Sequence, residues 1–371
     1  MVVAQMRASR IEISQHAINQ NIQVTMETSH AKHMFLAIKA NGYGHGLLEM
    51  ARAAKQAGVY GLAVAVVDEA LAIRQAKLDM PILILGYTEP QYAEFLAQFK
   101  IITTVPSVAW LEEAQGFLTG NQPLLVSLAV DTGMNRIGMR TTAEVQAAVA
   151  LMQNHANLFT WEGIMTHFAT SDTAETDYFE MQLDRWHAVI DGLPSLPPMV
   201  HVANSGAAMY HADEVPTDFI RVGTVVYGWE PSGKELNPGT DLIPAMTIKS
   251  ALSFVKQIPA GEGVSYGHLY HTTGDEWIGT IPMGYGDGLT RAMRGYKILV
   301  GNEWCEIIGQ IAMDQMMVRL PHAMPVGTPV TILGTNGTQT IDIWDVCAHC
   351  HLQPWEFANQ LSDRLPRYLV D

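Results

Sequence analysis

Cysteine is scarce: there are three among 371 residues, Cys305, Cys347 and Cys350. An odd trio cannot make a disulfide framework, and it fits a reducing compartment. Positive charge is also in deficit. The chain carries 22 Lys+Arg against 37 Asp+Glu, a formal net charge of −15, which is the wrong sign for binding nucleic acid by counterion release or for a polybasic membrane patch. Long apolar runs are missing too. Stretches such as Leu62–Val67 fall far short of the roughly 18 residues that cross a bilayer, and the opening MVVAQMRASR has no signal-like apolar block with a cleavage site. The expectation is a soluble cytoplasmic protein, with no internal repeat and no low-complexity tract.

What is present is apolar and rhythmic. A hydrophobic content of 48% is ample for a large core, and the length suits two domains or one barrel with an appended module. Apolar, β-branched runs recur at His33–Ala40, Tyr60–Val66, Pro81–Tyr87, Lys100–Val105, Leu124–Val130, Phe159–His167, Met199–Ser205 and Phe219–Tyr227. Between them lie stretches with helical apolar spacing, for example Leu47–Gly58. Eight nearly continuously apolar strands alternating with helices predict a parallel (β/α)8 barrel of the TIM type over residues 12–238. Doubly wound sheets share the alternation, and the count of eight favours the barrel.

Near Leu236–Ile243 the character changes. NPGTDLIP reads as a linker, and short alternating runs follow at Met246–Phe254, Glu276–Ile281, Tyr296–Val300, Met316–Leu320 and Thr328–Leu333. They predict a β-rich C-terminal domain over 239–371, joined by an N-terminal strand in residues 1–11 that is centred on the RIEIS segment beginning at Arg10.

The chemistry concentrates at strand ends. In FLAIKANGYGHG, Lys39 ends an apolar strand, where burial lowers an amine's pKa toward the range that suits covalent use. Gly42, Gly44 and Gly46 allow a tight turn beside it. A lysine snorkelling from a strand end is the bland alternative. Arg136 follows the fifth strand in DTGMNRIG, His167 ends the sixth, Asn204-Ser205-Gly206 ends the seventh, and Arg221-Val222-Gly223-Thr224 lies on the eighth. Singly each is weak. Together they converge on the C-terminal mouth of a barrel, where strands 7 and 8 commonly bind phosphate, so lysine plus phosphate site points to pyridoxal phosphate.

The motifs AIKANGYGHG, DTGMNRIG, EGIMTHFATSD, HVANSGAA, GEGVSYG, IPMGYGDG and AMDQMMV, with the terminal LPR of Leu365–Arg367, span nearly the whole chain. In them the sequence resembles the alanine racemases, pyridoxal-phosphate enzymes built from a barrel and a β domain. The resemblance implies that Lys39 is the Schiff-base lysine and one catalytic base, and that Tyr266 is the other. Tyr43, Asn204, Ser205, Gly223 and Thr224 would surround the phosphate. Arg221 would face the pyridine nitrogen, His167 would bond Tyr266 or Arg221, and Arg136 would touch the phenolic oxygen and the substrate. Tyr285, Met313 and Asp314 would line the substrate entrance. A homodimer with shared active sites and a role in D-alanine supply for peptidoglycan are implied as well. The alternatives are a serine or broader-range racemase and a non-catalytic pyridoxal-phosphate carrier.

Some positions depart from the family. Ala129 stands where many members carry a lysine, often carbamylated, that holds the arginine; Asp131 or a small anion such as chloride is the expected substitute. Trp355 replaces a phosphate-binding tyrosine, and Ser127, Gln310 and Ala312 replace a histidine, an arginine and a cysteine. Cys347-Ala348-His349-Cys350-His351 lacks a second ligand pair and reads as a helix with incidental thiols, so no metal is expected. The acidic pairs Asp68-Glu69 and Glu112-Glu113 read as solvated helix faces.

Overall fold

A computed structural model describes residues 2–233, 235–236 and 242–371. The expected linker NPGTDLIP falls largely in 237–241, outside the described residues. Two compact units emerge, one of His16–Gly42 and Met50–Ile243, the other of Met1–Gln15, Tyr43–Glu49 and Pro244–Asp371.

The first unit is a nearly closed barrel of eight parallel strands. After β1 (Arg10–Ser14), which belongs to the other unit, come β2 (His33–Ala37), β3 (Gly61–Val64), β4 (Ile82–Ile84), β5 (Ile101–Val105), β6 (Leu124–Ala129), β7 (Phe159–Met165), β8 (Met199–Val200) and β9 (Phe219–Val222). They pair in the order β8-β7-β6-β5-β4-β3-β2-β9. Across the remaining gap the Arg221 N–H donates to the Ala203 carbonyl at 2.9 Å. Burial on both faces explains the continuous apolar runs: all five residues of β5, IITTV, are buried. Every expected run contains an observed strand, but the strands are shorter, because their polar C-terminal residues leave the ladder to form the mouth.

The connecting helices follow the usual start signals and apolar stripes. Helix Thr142–Asn154 opens on a capping box in which Thr141 Oγ1 accepts the Glu144 N–H and Glu144 accepts the Thr141 N–H. It buries Val145, Ala148, Val149 and Met152, one face at helical spacing.

The second unit is a ten-stranded sheet. Its strands are β1 with β10 (Met246–Ala251), β11 (Phe254–Ile258), β12 (Glu276–Ile281), β13 (Lys297–Val300), β14 (Glu303–Ile308), β15 (Met316–Leu320), β16 (Pro329–Asn336), β17 (Gln339–Ile341) and β18 (Arg367–Val370). The order is β11-β12-β15-β14-β13-β16-β10-β1-β18, with β17 on β16. The N-terminal strand β1 is antiparallel to β10 and parallel to β18, so both chain ends lie in one sheet. The expected run Met246–Phe254 holds one strand, β10, which ends at Ala251, and reaches only the first residue of β11, most of which went unread. Strands β14 and β18 went unread because EWCEII and RYLV mix charges and aromatics without clean alternation.

Among the described residues no helix is long and apolar enough to cross a membrane, and no cluster of three or more His, Cys, Asp or Glu could hold a metal ion. Cys347 and Cys350 lie buried on helix Ile343–Cys350, where burial pushes their thiols up to about 12 and about 11. Protonated thiols are inert ones.

Candidate active site

Two cavities of the barrel unit compete for attention. The larger, about 570 Å³, lies where strands begin, lined by Pro198, Thr217 and Phe219 among others, and holds none of the candidate residues. The smaller, about 340 Å³, is lined by Lys39, Ala65, Leu85, Gly86, Tyr87, Arg136, Ile137, Met165, His167 and Arg221. The loops beyond the strand C-termini, where a barrel gathers its variable polar groups, supply this second one, which makes it the candidate site. Four candidate residues far apart in sequence, Lys39, Arg136, His167 and Arg221, meet there.

Lys39 begins a turn directly after β2 that is left-handed over four residues, Ala40, Asn41, Gly42 and Tyr43, with φ of 52°, 54°, 62° and 51°. The expected tight turn beside Lys39 is there, but it does not rest on its glycines alone. Three of the four are not glycine, each at a cost of roughly 1–2 kcal/mol, so surrounding bonds must hold the turn. One is internal, Gly42 N–H to the Ile38 carbonyl at 2.8 Å. Another comes from Glu69, whose Oε1 accepts the Ala40 N–H at 2.7 Å while Oε2 accepts the Ala65 N–H at 2.8 Å. Glu69 is therefore not the solvated residue expected of it. Burial first, then the charges of Arg136 and Arg221, pull the Lys39 amine below its ordinary pKa, against an opposing pull from Glu69.

Arg221 is 5% exposed on β9. Its guanidinium donates to the His201 carbonyl, to His201 Nδ1 at 3.0 Å, to the Thr166 carbonyl at 2.7 Å and to His167 Nδ1 at 3.3 Å. Burial, with Arg136 nearby, brings Arg221 down to about 9, still cationic at neutral pH. A guanidinium only donates, so both Nδ1 atoms must be bare acceptors and each neutral ring carries its proton on Nε2. The pKa directions agree. Burial and Arg221 hold His201 well below its ordinary value, and burial, Arg221, Arg136 and Lys39 bring His167 down to about 3. The His201 Nε2–H then donates to Ser127 Oγ at 2.9 Å. A directed chain results, with Arg221 at its centre and Ser127 at one end. At the other end His167 retains an Nε2–H to give.

Two further residues were missed by reading the sequence. Fully buried His201 had a usable signal: a histidine in the apolar stretch MVHVAN needs a partner once buried. Gln182, also fully buried, bonds the His167 carbonyl at 3.0 Å, Thr132 Oγ1 at 3.2 Å and the Ala169 N–H at 2.8 Å. With Tyr178 on the Gly133 carbonyl and Arg185 on the Thr132 carbonyl, one helix face, Asp177–Ile190, pins the loops that carry Arg136 and His167.

At strands 7 and 8, Asn204 caps helix Ser205–Tyr210 by accepting the Ala207 N–H at 3.0 Å. Ser205 Oγ takes the Gly223 N–H at 3.1 Å, so that amide is engaged within the barrel, and Thr224 lies next to it. Arg136 is exposed and has no carboxylate partner among the described residues; Asp131 Oδ1 instead accepts the Gly133 and Asn135 N–H groups at 3.1 and 2.9 Å.

The remaining candidates belong to the β-rich unit. Burial pushes the Tyr43 phenol up to about 12. Tyr266 follows Ser265, held at φ 63° by a bond from its hydroxyl to the Gln310 carbonyl at 2.6 Å, and its side chain is 72% exposed. Tyr285 sits in a turn organised by buried Asp287, which accepts the Gly284 N–H at 3.0 Å and pairs with Arg7 and Arg364. Arg364 also pairs with Asp314 at 2.5 Å, beside exposed Met313. Trp355 meets Trp344 edge-on at 6.5 Å.

Two family models match, "Alanine racemase, N-terminal domain" over residues 13–231 and "Alanine racemase, C-terminal domain" over 245–369. A lysine racemase of Oenococcus oeni is 48% identical and an alanine racemase of Lactiplantibacillus plantarum 43%, each aligned over 100% of both chains. The solved histidine racemase of Leuconostoc mesenteroides superposes with a TM-score of 0.96 at 34% identity, again over 100% of both chains. Matches of this extent to both halves of the chain, joined to a barrel mouth that gathers Lys39, His167 and Arg221, establish that the chain belongs to the alanine racemase family.

Proposed function

We propose that the chain is a pyridoxal-phosphate-dependent amino-acid racemase whose main reaction interconverts L- and D-alanine, supplying D-alanine for peptidoglycan. One observation carries the reading: an amine depressed in pKa shares a cavity with two guanidinium groups, neither of which has a carboxylate partner among the described residues. Such a set fits an anionic, carbonyl-bearing cofactor. Lys39 would hold it covalently, Arg221 would face its ring nitrogen, Arg136 its phenolic oxygen, and the Asn204-Ser205 and Gly223-Thr224 segments its phosphate. When bound, pyridoxal phosphate withdraws electrons from the α-carbon of an attached amino acid and so acidifies its α-proton.

Racemisation then needs a base on each face of a flat group. Lys39, its pKa lowered first by burial, can take or return a proton from one face. Tyr266 serves the other. The neutral His167, with the Arg221 guanidinium on its Nδ1, would offer its Nε2–H to the Tyr266 oxygen. An arginine that stays charged at the ring nitrogen disfavours protonation there, limiting side reactions.

Tyr266 acts from a second chain, so the working unit is a homodimer. In support, the β-rich unit leaves Tyr266, Leu269, Met313 and Tyr285 exposed at 72, 55, 53 and 36%, an arrangement suited to being covered. Subunits with Lys39→Ala mixed with subunits with Tyr266→Phe should regain activity through sites that are intact in both positions. Absence of recovery after verified exchange argues against sharing.

Alanine is favoured because the cavity's apolar wall of Ala65, Leu85, Ile137 and Met165 includes no acid to pair with a cationic side chain. The 48% identical lysine racemase favours a second reading, a racemase of basic amino acids. Purified protein loaded with pyridoxal phosphate should absorb visible light, and Lys39→Ala should not. Exchange of the α-proton for deuterium on alanine, serine, lysine and histidine ranks the substrates. Visible absorbance with no exchange on any amino acid would sink the enzymatic reading in favour of a carrier.

A further inference from the structure

Glu69 stands at the third position of helix Val67–Gln75, where a carboxylate is drawn to the free N–H groups of the helix start. That local role would need only the amides of Ala65 and Val66, which its Oε2 accepts at 2.8 and 3.4 Å. Its Oε1 does something else. It accepts the Ala40 N–H at 2.7 Å, 29 positions away in sequence, and thereby ties the left-handed turn after Lys39 to the end of β3. The turn contains three non-glycine residues at positive φ, so this tie bears on where the Lys39 side chain leaves the strand.

The charge matters as well as the bond. The groups acting on the Lys39 amine are the guanidinium groups of Arg136 and Arg221, the neutral ring of His167 and the Glu69 carboxylate. Among them Glu69 is the one negative group.

We propose that Glu69 is a positioning residue of this site: its carboxylate holds the turn that directs Lys39 into the cavity and offsets the two guanidinium charges around the amine. Glutamine in its place keeps the volume but loses the charge. It also offers one acceptor where two oxygens now serve Ala40 and Ala65, so an N–H of the carboxamide confronts one of those amides. Aspartate keeps the charge but is a methylene short of spanning both.

The inference rests on Lys39 being the reactive amine, which Lys39→Ala tests separately through loss of visible absorbance. The first test of Glu69 needs neither cofactor nor turnover. Full-length protein freed of pyridoxal phosphate is pulse-labelled with an amine-acylating reagent across a pH series, and modification of the Lys39 peptide is followed by mass spectrometry. In Glu69→Gln the labelling midpoint of Lys39 should fall by about one pH unit, since the charge that favours the ammonium is gone. In Glu69→Asp it should stay near the wild-type midpoint, while kcat/KM of the reloaded enzyme falls roughly tenfold through misplacement. Asp68→Asn, on the exposed neighbour, should change neither. A wild-type midpoint in folded Glu69→Gln overturns the proposal. Should that variant not fold, wild-type kcat/KM in Glu69→Asp overturns it.

Discussion

Arg136 and Ala129 illustrate how one missing side chain moves a problem elsewhere. Ala129 is buried on β6 and offers no charge, and Asp131 commits one oxygen to its own loop, so no ion pair reaches Arg136 among the described residues. Because Arg136 is exposed on the single chain, its charge is hydrated there; covered by a second chain it would need an anion, at a penalty of roughly a few kcal/mol without one. Crystals of the loaded protein soaked in bromide should show anomalous scattering between Ala129 and Arg136. An empty position, with turnover indifferent to replacing chloride by a bulky anion at equal ionic strength, would rule the anion out. Trp355 poses a related question, since an indole cannot supply the hydrogen bond of the phosphate-binding phenol that the resemblance implies at this position. The ratio of kcat/KM for alanine to that for serine should change in Trp355→Tyr; an unchanged ratio makes the position irrelevant to specificity.

At the scale of the element, two glycines at positive φ, Gly44 in the GYGHG segment and Gly261 in GEGVSYG, differ in kind. Gly44 takes φ 81°, and a Cβ there would lie 2.0 Å from the Ala358 carbonyl oxygen, while Arg367 Nε donates to the Gly44 carbonyl at 2.8 Å. The terminal LPR motif thus has a structural duty: its arginine ties this turn to the C-terminal end of the same unit. Gly261, at φ 85°, has nothing within 4 Å of its would-be Cβ. Gly261→Ala should therefore cost only the backbone term, about 1 kcal/mol. Gly44→Ala adds overpacking of roughly 1–3 kcal/mol. Urea unfolding of the two variants side by side measures the difference, and equal losses would show that the clash relaxes freely.

For the molecule as a whole, acid stability follows from the histidines that burial, reinforced by Arg221, keeps neutral. His201 is fully buried and its folded pKa lies well below the ordinary 6.5. The unfolded chain therefore binds the proton first as pH falls. Stability from this group is complete above pH 6.5 and is lost progressively below it, with a slope of up to about 1.4 kcal/mol per pH unit. Replacing His201 by Asn should flatten the fall of the barrel's unfolding free energy between pH 6.5 and 4.5, while lowering its value at pH 7. An unaltered slope would place the acid sensitivity elsewhere.

Much of this protein could be read before any coordinates. Eight buried strands, the helices between them, the β-rich second unit and the residues Lys39, Arg136, His167 and Arg221 are written in apolar periodicity, in glycine placement and in polar residues set where strands end, because those are local signals that each short stretch carries by itself. Tertiary structure decided the rest. Glu69 looks like any acid at a helix start until β3 brings it beside Ala40; His201 and Ser127 become partners only because β8 and β6 flank the same strand, β7, in the barrel; and Gln182 acquires its role when its helix lies over two loops distant in sequence. Hydrogen bonds and charge effects between residues far apart in the chain depend on which strands become neighbours, and no window of sequence contains that distance.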